Sequence, residues 1–296
     1  MDTISKNITA QLETESFLKS KRYINCRGQL MDLSTPVVMG ILNATPDSFY
    51  SGSRFTGEKE VLQRVEEILL QGGELVDVGA YSSRPGAEHI SEQEEINRLM
   101  PVLNIIRKKF PDIIISVDTF RSGVASKAVL EGEADIINDI AGGEMDDKMF
   151  ETIASVKVPY ILMHMQGTPQ NMQKSPVYKD VLADVSLWLA KRVDALRTIG
   201  VADVIIDPGF GFGKTLDQNY ILLNRLEELA LFELPLLVGL SRKSMIYRYL
   251  ETDVESALNG TSVLNTIALD KGASILRVHD VKEAVECVKL FTKLKQ

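Results

Sequence analysis

The chain has 296 residues, of which 45% are hydrophobic and 25% charged, and its formal net charge is -8 at pH 7. These proportions are typical of a soluble globular protein, and they exclude a mainly disordered chain or a low-complexity fibre. The negative charge argues against non-specific binding to nucleic acid or to an anionic membrane. We expect a cytoplasmic protein, because neither a signal peptide nor the ~20 apolar residues of a membrane span is visible.

Residues 1–36 precede the first repeating unit and are predicted to form an N-terminal extension. Within them, the segment YINCRGQLMDL predicts a β-hairpin that turns at Arg27 and Gly28. We expect this hairpin to cap the bottom of a single domain formed by residues 37–296. The two cysteines of the chain are too few for a disulfide framework and match no zinc-ligand spacing.

From residue 37 onward, short apolar runs alternate with longer amphipathic stretches. Each run is apolar almost throughout, which predicts a strand that is buried on both faces of a parallel sheet. The runs cover residues 37–42, 74–79, 113–118, 134–140, 158–165, 202–208, 235–240 and 274–279. Eight strand–helix units in about 260 residues favour a (β/α)₈ TIM barrel over an open doubly wound sheet.

Helix starts are indicated by a polar residue that is followed three positions later by glutamate or glutamine. In this capping box each of the two side chains accepts a hydrogen bond from the other residue's backbone N–H. The spacing occurs at Ser91, Thr215 and Asp280 and predicts a helix after each of them. Two long loops, residues 43–57 and 80–90, follow the first two strands and have the composition of mobile lids.

Polar residues stand where almost every predicted strand ends. In a (β/α)₈ barrel, the carboxyl ends of the strands and the loops after them carry the reactive groups. The candidates are Asn43, Ser83, Arg84, Asp118, Asn138, His164, Asp207, Arg242, Lys243, Arg277 and His279. Converging carboxylates and an amide suit a ligand with several N–H donors on one edge, such as an aminopyrimidine. The cations after the last two strands suit an anion such as a phosphate.

The alternative role for the acids and the amide is that each caps the helix that follows it. Their occurrence at three strand ends favours a ligand site. The segment PGFGFGKT at residues 208–215 is similar to a phosphate-binding loop, but that pattern requires glycine where Pro208 stands. We interpret the segment as a loop whose backbone approaches a ligand closely. With three scattered histidines and no nucleophile elbow, the sequence does not support zinc or acyl-enzyme chemistry.

With these residues considered together, the chain resembles the dihydropteroate synthase family, the folate-pathway enzymes that sulfonamides inhibit. The resemblance covers residues 37–290. Its motifs, in order, are GILNATPDSFYSGS, DVGAYSSRPGA, SVDTFRSGVA, IINDIAGG, LMHMQGTPQNMQ, DPGFGFGK, LVGLSRKSMI and LRVHDVKEAVE. It implies a TIM barrel that uses Mg²⁺ to condense 6-hydroxymethyl-7,8-dihydropterin diphosphate with p-aminobenzoate, by an SN1-like displacement of pyrophosphate. We also expect a homodimer, with residues 255–271 and 280–293 as candidate interface helices.

The resemblance further implies roles for individual residues. The residues implied to bind the pterin ring are Asp118, Asn138, Asp207, Lys243, Met163, Gly239 and Phe212. Those implied to contact the diphosphate are Asn43, Ser83, Arg277 and His279, with Asn43 also binding Mg²⁺. Those implied to frame p-aminobenzoate are Ser83, Arg84, Pro85, Phe212 and Ser244. The implied catalytic residues are Asp47, Arg84, Lys243 and Asp207, with Asp47 assisting the closed state.

One position departs from the pattern of the family, which usually has Ser-Thr-Arg-Pro-Gly in the second loop. This chain has Ser83 in place of the threonine. Serine keeps the hydroxyl but lacks a methyl group, so we expect altered inhibitor fit rather than lost activity. The alternatives are a pterin-dependent methyltransferase barrel acting on a corrinoid protein and a non-catalytic pterin-binding protein. The first does not account for the cations after the last strands, and the second does not account for Asn43, Asp47 and the lids.

Overall fold

A two-stranded hairpin opens the described part of the chain in the computed structural model, which covers residues 23–44, 54–81, 89–172 and 176–296. Strand β1 (Tyr23–Cys26) pairs antiparallel with β2 (Gln29–Asp32). Arg27 and Gly28 between them have φ angles of 50° and 85°. Positive φ at both positions is what a two-residue type I′ turn requires, so the turn lies where the sequence predicted it.

Eight parallel strands form the barrel. They are β3 (Val37–Asn43), β4 (Leu75–Gly79), β5 (Ile114–Asp118), β6 (Ile136–Asp139), β7 (Tyr160–Met163), β8 (Val204–Asp207), β9 (Leu237–Val238) and β10 (Ile275–Val278). Strands β3 to β8 pair in chain order, and β10 pairs with both β3 and β9. A bridge between Ile206 and Leu236 joins β8 to the segment at β9 and closes the ring. The predicted TIM barrel is confirmed.

Helices follow the strands and surround the barrel. They are α1 (Arg54–Leu70), α2 (Glu92–Lys109), α3 (Ser122–Leu130), α4 (Met149–Val156), α5 (Val181–Thr198), α6 (Leu216–Asn224), α7 (Ser244–Tyr247), α8 (Leu258–Asp270) and α9 (Val281–Lys295). Short 3₁₀ helices cover Leu226–Phe232 and Glu255–Ala257. The first predicted loop was too long, because α1 begins at Arg54 rather than after residue 57. In the described ranges, no helix is long and apolar enough to cross a bilayer.

The three predicted helix starts differ in their capping. The Ser91 hydroxyl accepts a hydrogen bond from the Glu94 backbone N–H at 3.2 Å, and Thr215 forms a reciprocal capping box with Gln218. The capping prediction at Asp280 was wrong. Its carboxylate makes no cap hydrogen bond and instead accepts two bonds from the Arg242 guanidinium, at 2.8 and 2.9 Å.

The barrel interior is apolar at the bottom, where the hairpin covers it. This cluster is formed by Ile24, Cys26, Met31, Leu33, Val37, Met39, Leu75, Ile136, Ile161, Ile205, Leu237 and Ile275, with Ile114 packed against it. Residues two positions apart in a strand point to the same side of the sheet. The positions two residues beyond five of these inward-facing apolar residues are Asp77, Ser116, Asn138, Asp207 and Arg277. The barrel interior is therefore apolar at its bottom, which we call the floor, and polar at the carboxyl ends of the strands, which we call the mouth.

Candidate active site

Most of the predicted site residues lie at the carboxyl ends of the barrel strands. Asp118, Asn138, Met163, Asp207 and Arg277 belong to strands β5, β6, β7, β8 and β10. Gly239, Lys243, Ser244 and His279 follow the last two strands directly, and Phe212 lies in the loop after β8. The remaining predicted residues, Asp47, Ser83, Arg84 and Pro85, lie outside the described residues.

Arg277 is the centre of a hydrogen-bonded network inside the barrel mouth. Its Nε donates to Asp77 Oδ2 at 2.6 Å, and its Nη2 donates to Asp118 Oδ2 at 2.9 Å. Asn138 donates its amide N–H to the same Asp77 oxygen at 3.1 Å. The Arg277 side chain is 24% exposed, whereas Asp77 is fully buried. Four strands thus contribute to one network of two carboxylates, one amide and one guanidinium.

Burial in this network changes the protonation of Asp118. Desolvation, together with the nearby carboxylates of Asp77, Glu95 and Asp139, raises the pKa of its carboxyl to about 7. The positive charge of Arg277 acts in the opposite direction and lowers the pKa. Near neutral pH, the Asp118 carboxyl therefore titrates, and a ligand that donates N–H groups to it favours the ionised form.

The other half of the mouth is formed by Asp207 and Lys243. Burial raises the pKa of Asp207, and the positive charge of Lys243 lowers it. Burial likewise lowers the pKa of Lys243 to about 8, against the opposing effect of Asp207. The Lys243 ammonium donates to the backbone carbonyl of Phe210 and lies 4.8 Å from the centroid of the Phe212 ring. A buried cation and a buried carboxylate thus stabilise each other's charged forms beside an aromatic ring.

Gly239 connects the two halves of the mouth. A Cβ atom at this position would lie 3.8 Å from Lys243 Nζ and 3.9 Å from Arg277 Cβ. The two cationic side chains therefore approach the same backbone position. Absence of a side chain at Gly239 leaves the space between them open.

An apolar wall stands next to these polar groups. Its buried members are Phe120, Ile140, Ala141, Met163, Met165 and Met172, and the partly buried Tyr81, Met145 and Phe212 pack against them. Pockets for small ligands combine apolar walls with a few placed polar groups. The wall and the two polar halves together fit a flat heterocycle with hydrogen-bonding edges.

The edge of the mouth is formed by the ends of β3 and β10. Asn43 is exposed, whereas the six preceding residues of β3 are buried. The Ser241 hydroxyl accepts from the His279 backbone N–H at 3.1 Å and lies 3.0 Å from His279 Nδ1. Arg64 of helix α1 donates to the His279 carbonyl at 2.6 Å. The His279 backbone is therefore held in place at the rim.

Arg242 was expected among the cations of the site, and this expectation was wrong. Its guanidinium binds the Asp280 carboxylate and the backbone carbonyls of Val254 and Glu255. Arg242 has a φ angle of 51°, which places it in the left-handed region. Since its guanidinium is bound to residues that precede helices α8 and α9, Arg242 stabilises the turn before α7 rather than the pocket.

Sequence reasoning missed two buried charged residues. Asp77 is a single acid inside the apolar run 74–79, and that isolated charge is the signal which could have revealed it. Lys214 was dismissed together with the failed phosphate-loop pattern. Its ammonium lies 3.0 Å from Nδ1 of His164, and burial lowers the pKa of that imidazole far below its usual range. His164 is thus a neutral acceptor and not a free acid or base.

The residues at the rim are compatible with Mg²⁺. In the described ranges, no three His, Cys, Asp or Glu side chains cluster into a metal site. Mg²⁺ prefers oxygen ligands, and it is commonly bound by one or two protein groups together with substrate phosphates and water. The exposed Asn43 amide supplies an oxygen of this kind at the carboxyl end of β3.

Comparison with known proteins identifies the family. The model of a family described as pterin binding enzyme matches residues 39–279. The chain is 42% identical to the dihydropteroate synthase of Escherichia coli K12 over 266 residues, which cover 89% of this chain and 93% of that protein. It is 41% identical to the Haemophilus influenzae Rd dihydropteroate synthase over 273 residues, covering 92% and 98%. The chain belongs to the dihydropteroate synthase family.

Solved structures of this family share the fold. The Yersinia pestis dihydropteroate synthase in complex with a sulfonamide drug is 42% identical, with a TM-score of 0.86 over 92% of this chain and 99% of that one. The Xanthomonas albilineans dihydropteroate synthase with 4-aminobenzoic acid is 33% identical, with a TM-score of 0.84 over 93% and 99%. The family predicted from the sequence motifs is confirmed.

Proposed function

We propose that the chain condenses 6-hydroxymethyl-7,8-dihydropterin diphosphate with p-aminobenzoate to form 7,8-dihydropteroate. The C–O bond to the diphosphate breaks, and pyrophosphate leaves with the electron pair. The aniline nitrogen forms a C–N bond to the pterin methylene carbon and loses one proton. The observation that carries this proposal is the convergence of Asp118, Asn138, Asp207 and Lys243 at one end of a barrel of the dihydropteroate synthase family.

The pterin ring occupies the barrel mouth in this proposal. Its aminopyrimidine edge presents N–H donors, and the carboxylates of Asp118 and Asp207 accept them while the Asn138 amide can both donate and accept. Lys243 donates to the acceptor atoms of the ring. Met163 and Gly239 provide an apolar surface and free space beside it. This placement is supported because it gives hydrogen-bond partners to the polar atoms of the ring, which buried polar groups require.

The diphosphate lies toward the rim, near Arg277 and His279. Arg277 uses Nε and Nη2 for Asp77 and Asp118, and its Nη1 has no hydrogen-bond partner among the described residues. That nitrogen can donate to a phosphate oxygen without breaking the network. Asn43 would hold Mg²⁺ together with diphosphate oxygens. Bound Mg²⁺ would neutralise part of the negative charge on the departing pyrophosphate.

The charged groups of the mouth suit a reaction in which pyrophosphate departs before the nucleophile attacks. Loss of the leaving group leaves a positive charge that is delocalised from the methylene carbon into the pterin ring. The nearby carboxylates of Asp118 and Asp207 stabilise that charge through preorganised electrostatics. An aniline nitrogen is a nucleophile without prior deprotonation, so the reaction needs positioning more than a strong general base.

The p-aminobenzoate subsite lies on the outer side of Phe212 and Ser244 in this proposal. Ser83, Arg84 and Pro85 from the second loop complete it, and Asp47 from the first loop assists the closed state. Sulfonamides, which resemble p-aminobenzoate in shape, compete for this subsite. The Ser83 hydroxyl without the usual threonine methyl changes the fit of the inhibitor more than that of the substrate.

The protein acts as a homodimer in this proposal. Helices α8 and α9 pack against each other and expose large apolar side chains. Val263 and Ile267 on α8 are 51% and 38% exposed, and Leu290 and Leu294 on α9 are 70% and 82% exposed. A two-fold interface between copies of these helices would bury them.

The proposal is tested by incubating the purified protein with dihydropterin diphosphate and Mg²⁺, with and without p-aminobenzoate. We expect pyrophosphate release that depends on p-aminobenzoate, together with dihydropteroate detected by mass spectrometry. Tight pterin binding without either product would contradict the proposal and favour a non-catalytic pterin-binding protein. Transfer of a methyl group from a methylated pterin to a corrinoid would favour a methyltransferase.

A further inference from the structure

We propose that Lys214 is a positioning residue that holds the loop after β8 in the shape needed to place Phe212 beside Lys243. This inference rests on the proposed function, because it assigns Phe212 to the p-aminobenzoate subsite. Lys214 itself contacts no proposed substrate group. It is buried and acts through the backbone of the loop.

The Lys214 ammonium uses three hydrogen bonds to bind three acceptors. Its Nζ lies 2.9 Å from the Gly209 carbonyl, 3.1 Å from the Phe212 carbonyl and 3.0 Å from His164 Nδ1. The residue is 3% exposed. Within the described ranges, no carboxylate forms an ion pair with it. Its partners are two loop carbonyls and one imidazole, so its contacts serve the shape of the loop.

These contacts fix the backbone of Phe212 on both sides. The Phe212 N–H donates to the Gly209 carbonyl at 3.1 Å, and its own carbonyl accepts from Lys214. Both carbonyls that define this turn therefore meet at one ammonium group. Loss of the ammonium would leave the Phe212 carbonyl without this donor, and the Gly209 carbonyl would keep only the Phe212 N–H.

The loop lies too close to the segment after β7 to move inward. Gly209 has a φ of 72°, and a Cβ there would lie 1.9 Å from the His164 carbonyl oxygen. Gly213 has a φ of 61°, and a Cβ there would lie 2.5 Å from the Gln166 carbonyl oxygen. Only glycine permits this close approach. His164, the third acceptor of Lys214, lies where the loop touches the segment after β7.

Lys243 lies against the same loop. Its ammonium donates to the Phe210 carbonyl, and a Cβ at Gly211 would lie 3.2 Å from its Cδ. The Lys243 side chain therefore follows the backbone that Lys214 holds. A shift of this backbone would move the Phe212 ring away from its position 4.8 Å from Lys243 Nζ.

Filling this buried space does not by itself require a lysine. Burial lowers the pKa of Lys214 to about 7, so the charged form is costly in this position. A methionine has a similar length and fills the space without that cost. The three hydrogen bonds to the loop account for a lysine, because a methionine cannot make them.

The test is a double-mutant cycle between Lys214→Met and Phe212→Leu, measured as the KM for p-aminobenzoate and the Kd for 6-hydroxymethylpterin. We expect Lys214→Met to raise the KM at least tenfold and to raise the pterin Kd by a smaller factor, because the loop carries Phe212 and contacts Lys243, whereas Asp118 and Asn138 lie on other strands. In the Phe212→Leu background, the same substitution should change the KM less than twofold, because coupled residues are not additive.

Lys271→Met is the matched control. Lys271 Nζ donates to the Asn224 carbonyl at 2.6 Å and to Glu227, so it also binds a backbone carbonyl, but one at the C-terminal end of α6. We expect a KM within twofold of the wild type. If Lys214→Met does not fold, His164→Leu, which removes one acceptor, decides: a threefold or larger rise in KM supports the inference.

Two outcomes separate this inference from the proposed function. If the wild type makes no dihydropteroate, the proposed function fails and this inference fails with it. If the wild type is active, but Lys214→Met leaves the KM unchanged or raises it equally in the Phe212→Leu background, the inference alone is overturned. If Lys214→Met cannot be purified, an unchanged KM in His164→Leu would likewise overturn the inference alone.

Discussion

Asp77 and Arg277 are 200 positions apart in the chain, yet the Arg277 Nε donates to Asp77 Oδ2 at 2.6 Å inside the barrel. The same guanidinium binds Asp118. One cation thus compensates two buried carboxylates at the place where the pterin is proposed to bind. The guanidinium offsets part of the negative charge of these acids, and buried ionised groups require such a partner.

Removing this cation should destabilise the fold in a pH-dependent way. We expect Arg277→Met to lower the free energy of unfolding at pH 8 by about 3 kcal/mol, because it leaves buried carboxylates uncompensated. Without Arg277 the pKa of folded Asp118 rises further above its unfolded value. A carboxyl whose pKa is raised by folding destabilises the folded protein as the pH rises toward that folded pKa. In the variant this effect continues to a higher pH than in the wild type. The loss of unfolding free energy caused by Arg277→Met should therefore be smaller at pH 6 than at pH 8.

Urea denaturation at both pH values measures this effect. Arg225→Met is the control, since Arg225 pairs with Asp180 and Glu228 on the surface, where solvent screens the charges and ion pairs contribute little stability. A deficit in Arg277→Met that is equal at pH 6 and pH 8 would contradict the proposed link to Asp118.

Pterin binding should weaken as the pH falls through 7. The raised pKa of Asp118, about 7, means that its carboxyl is protonated below that pH and loses acceptor capacity. For one linked proton, we expect the Kd for 6-hydroxymethylpterin to be about tenfold higher at pH 6 than at pH 8. Isothermal titration calorimetry measures it. Asp118→Asn should bind more weakly and lose the pH dependence, and a wild-type Kd that is constant from pH 6 to 8 would exclude this role.

The hairpin should contribute to stability and not to catalysis. Ile24 is fully buried against the barrel floor, whereas Leu30 on the same hairpin is 73% exposed. We expect Ile24→Ala to cost about 2–5 kcal/mol in unfolding free energy, and Leu30→Ala less than about 0.5 kcal/mol. Both should keep the wild-type kcat/KM below their unfolding transitions. A large catalytic loss in folded Ile24→Ala would show that the floor also shapes the mouth.

Binding of the diphosphate should depend on Mg²⁺, whereas binding of the pterin ring should not. We expect chelation to weaken binding of the dihydropterin diphosphate at least tenfold and to leave the Kd of the free hydroxymethylpterin unchanged, because only the phosphates share the metal. Asn43→Leu should show a reduced response to added Mg²⁺. Full activity after exhaustive chelation would disprove a role for the metal and for Asn43 as its ligand.

The order of strands and helices was predictable because burial on both faces produces continuous apolar runs. The run 113–118, for example, became strand Ile114–Asp118 with only one residue removed. The polar strand ends were predictable for the same reason, because a parallel barrel collects them on one face. The position of Asn138 and Asp207 at the same end of the barrel could therefore be predicted from the sequence alone.

The contacts inside the mouth were not predictable from local sequence. Arg277 meets Asp77 only because β10 pairs in register with β3, and β3 with β4. Lys214 meets His164 across 50 positions, and a failed phosphate-loop pattern gave no indication of this. Arg242 was expected in the site because it follows the seventh strand together with Lys243, but neighbouring residues in a turn can face different directions.

Asp207 and Lys243 should be essential for turnover and dispensable for folding. We expect Asp207→Ala and Lys243→Ala each to lower kcat/KM by at least ~100-fold, as removal of a preorganised charge from a transition state does. Circular dichroism should show a folded barrel in both. Near-wild-type rates in both variants would remove the site assignment.

The most direct test of the account is the ratio of dihydropteroate formed to pyrophosphate released by the wild-type protein. The account predicts one product molecule for each pyrophosphate when p-aminobenzoate is present, with both rates lowered in parallel in Asp207→Ala. Pyrophosphate release that continues at the same rate without p-aminobenzoate, with no dihydropteroate formed, would show a diphosphate hydrolase and contradict the condensation.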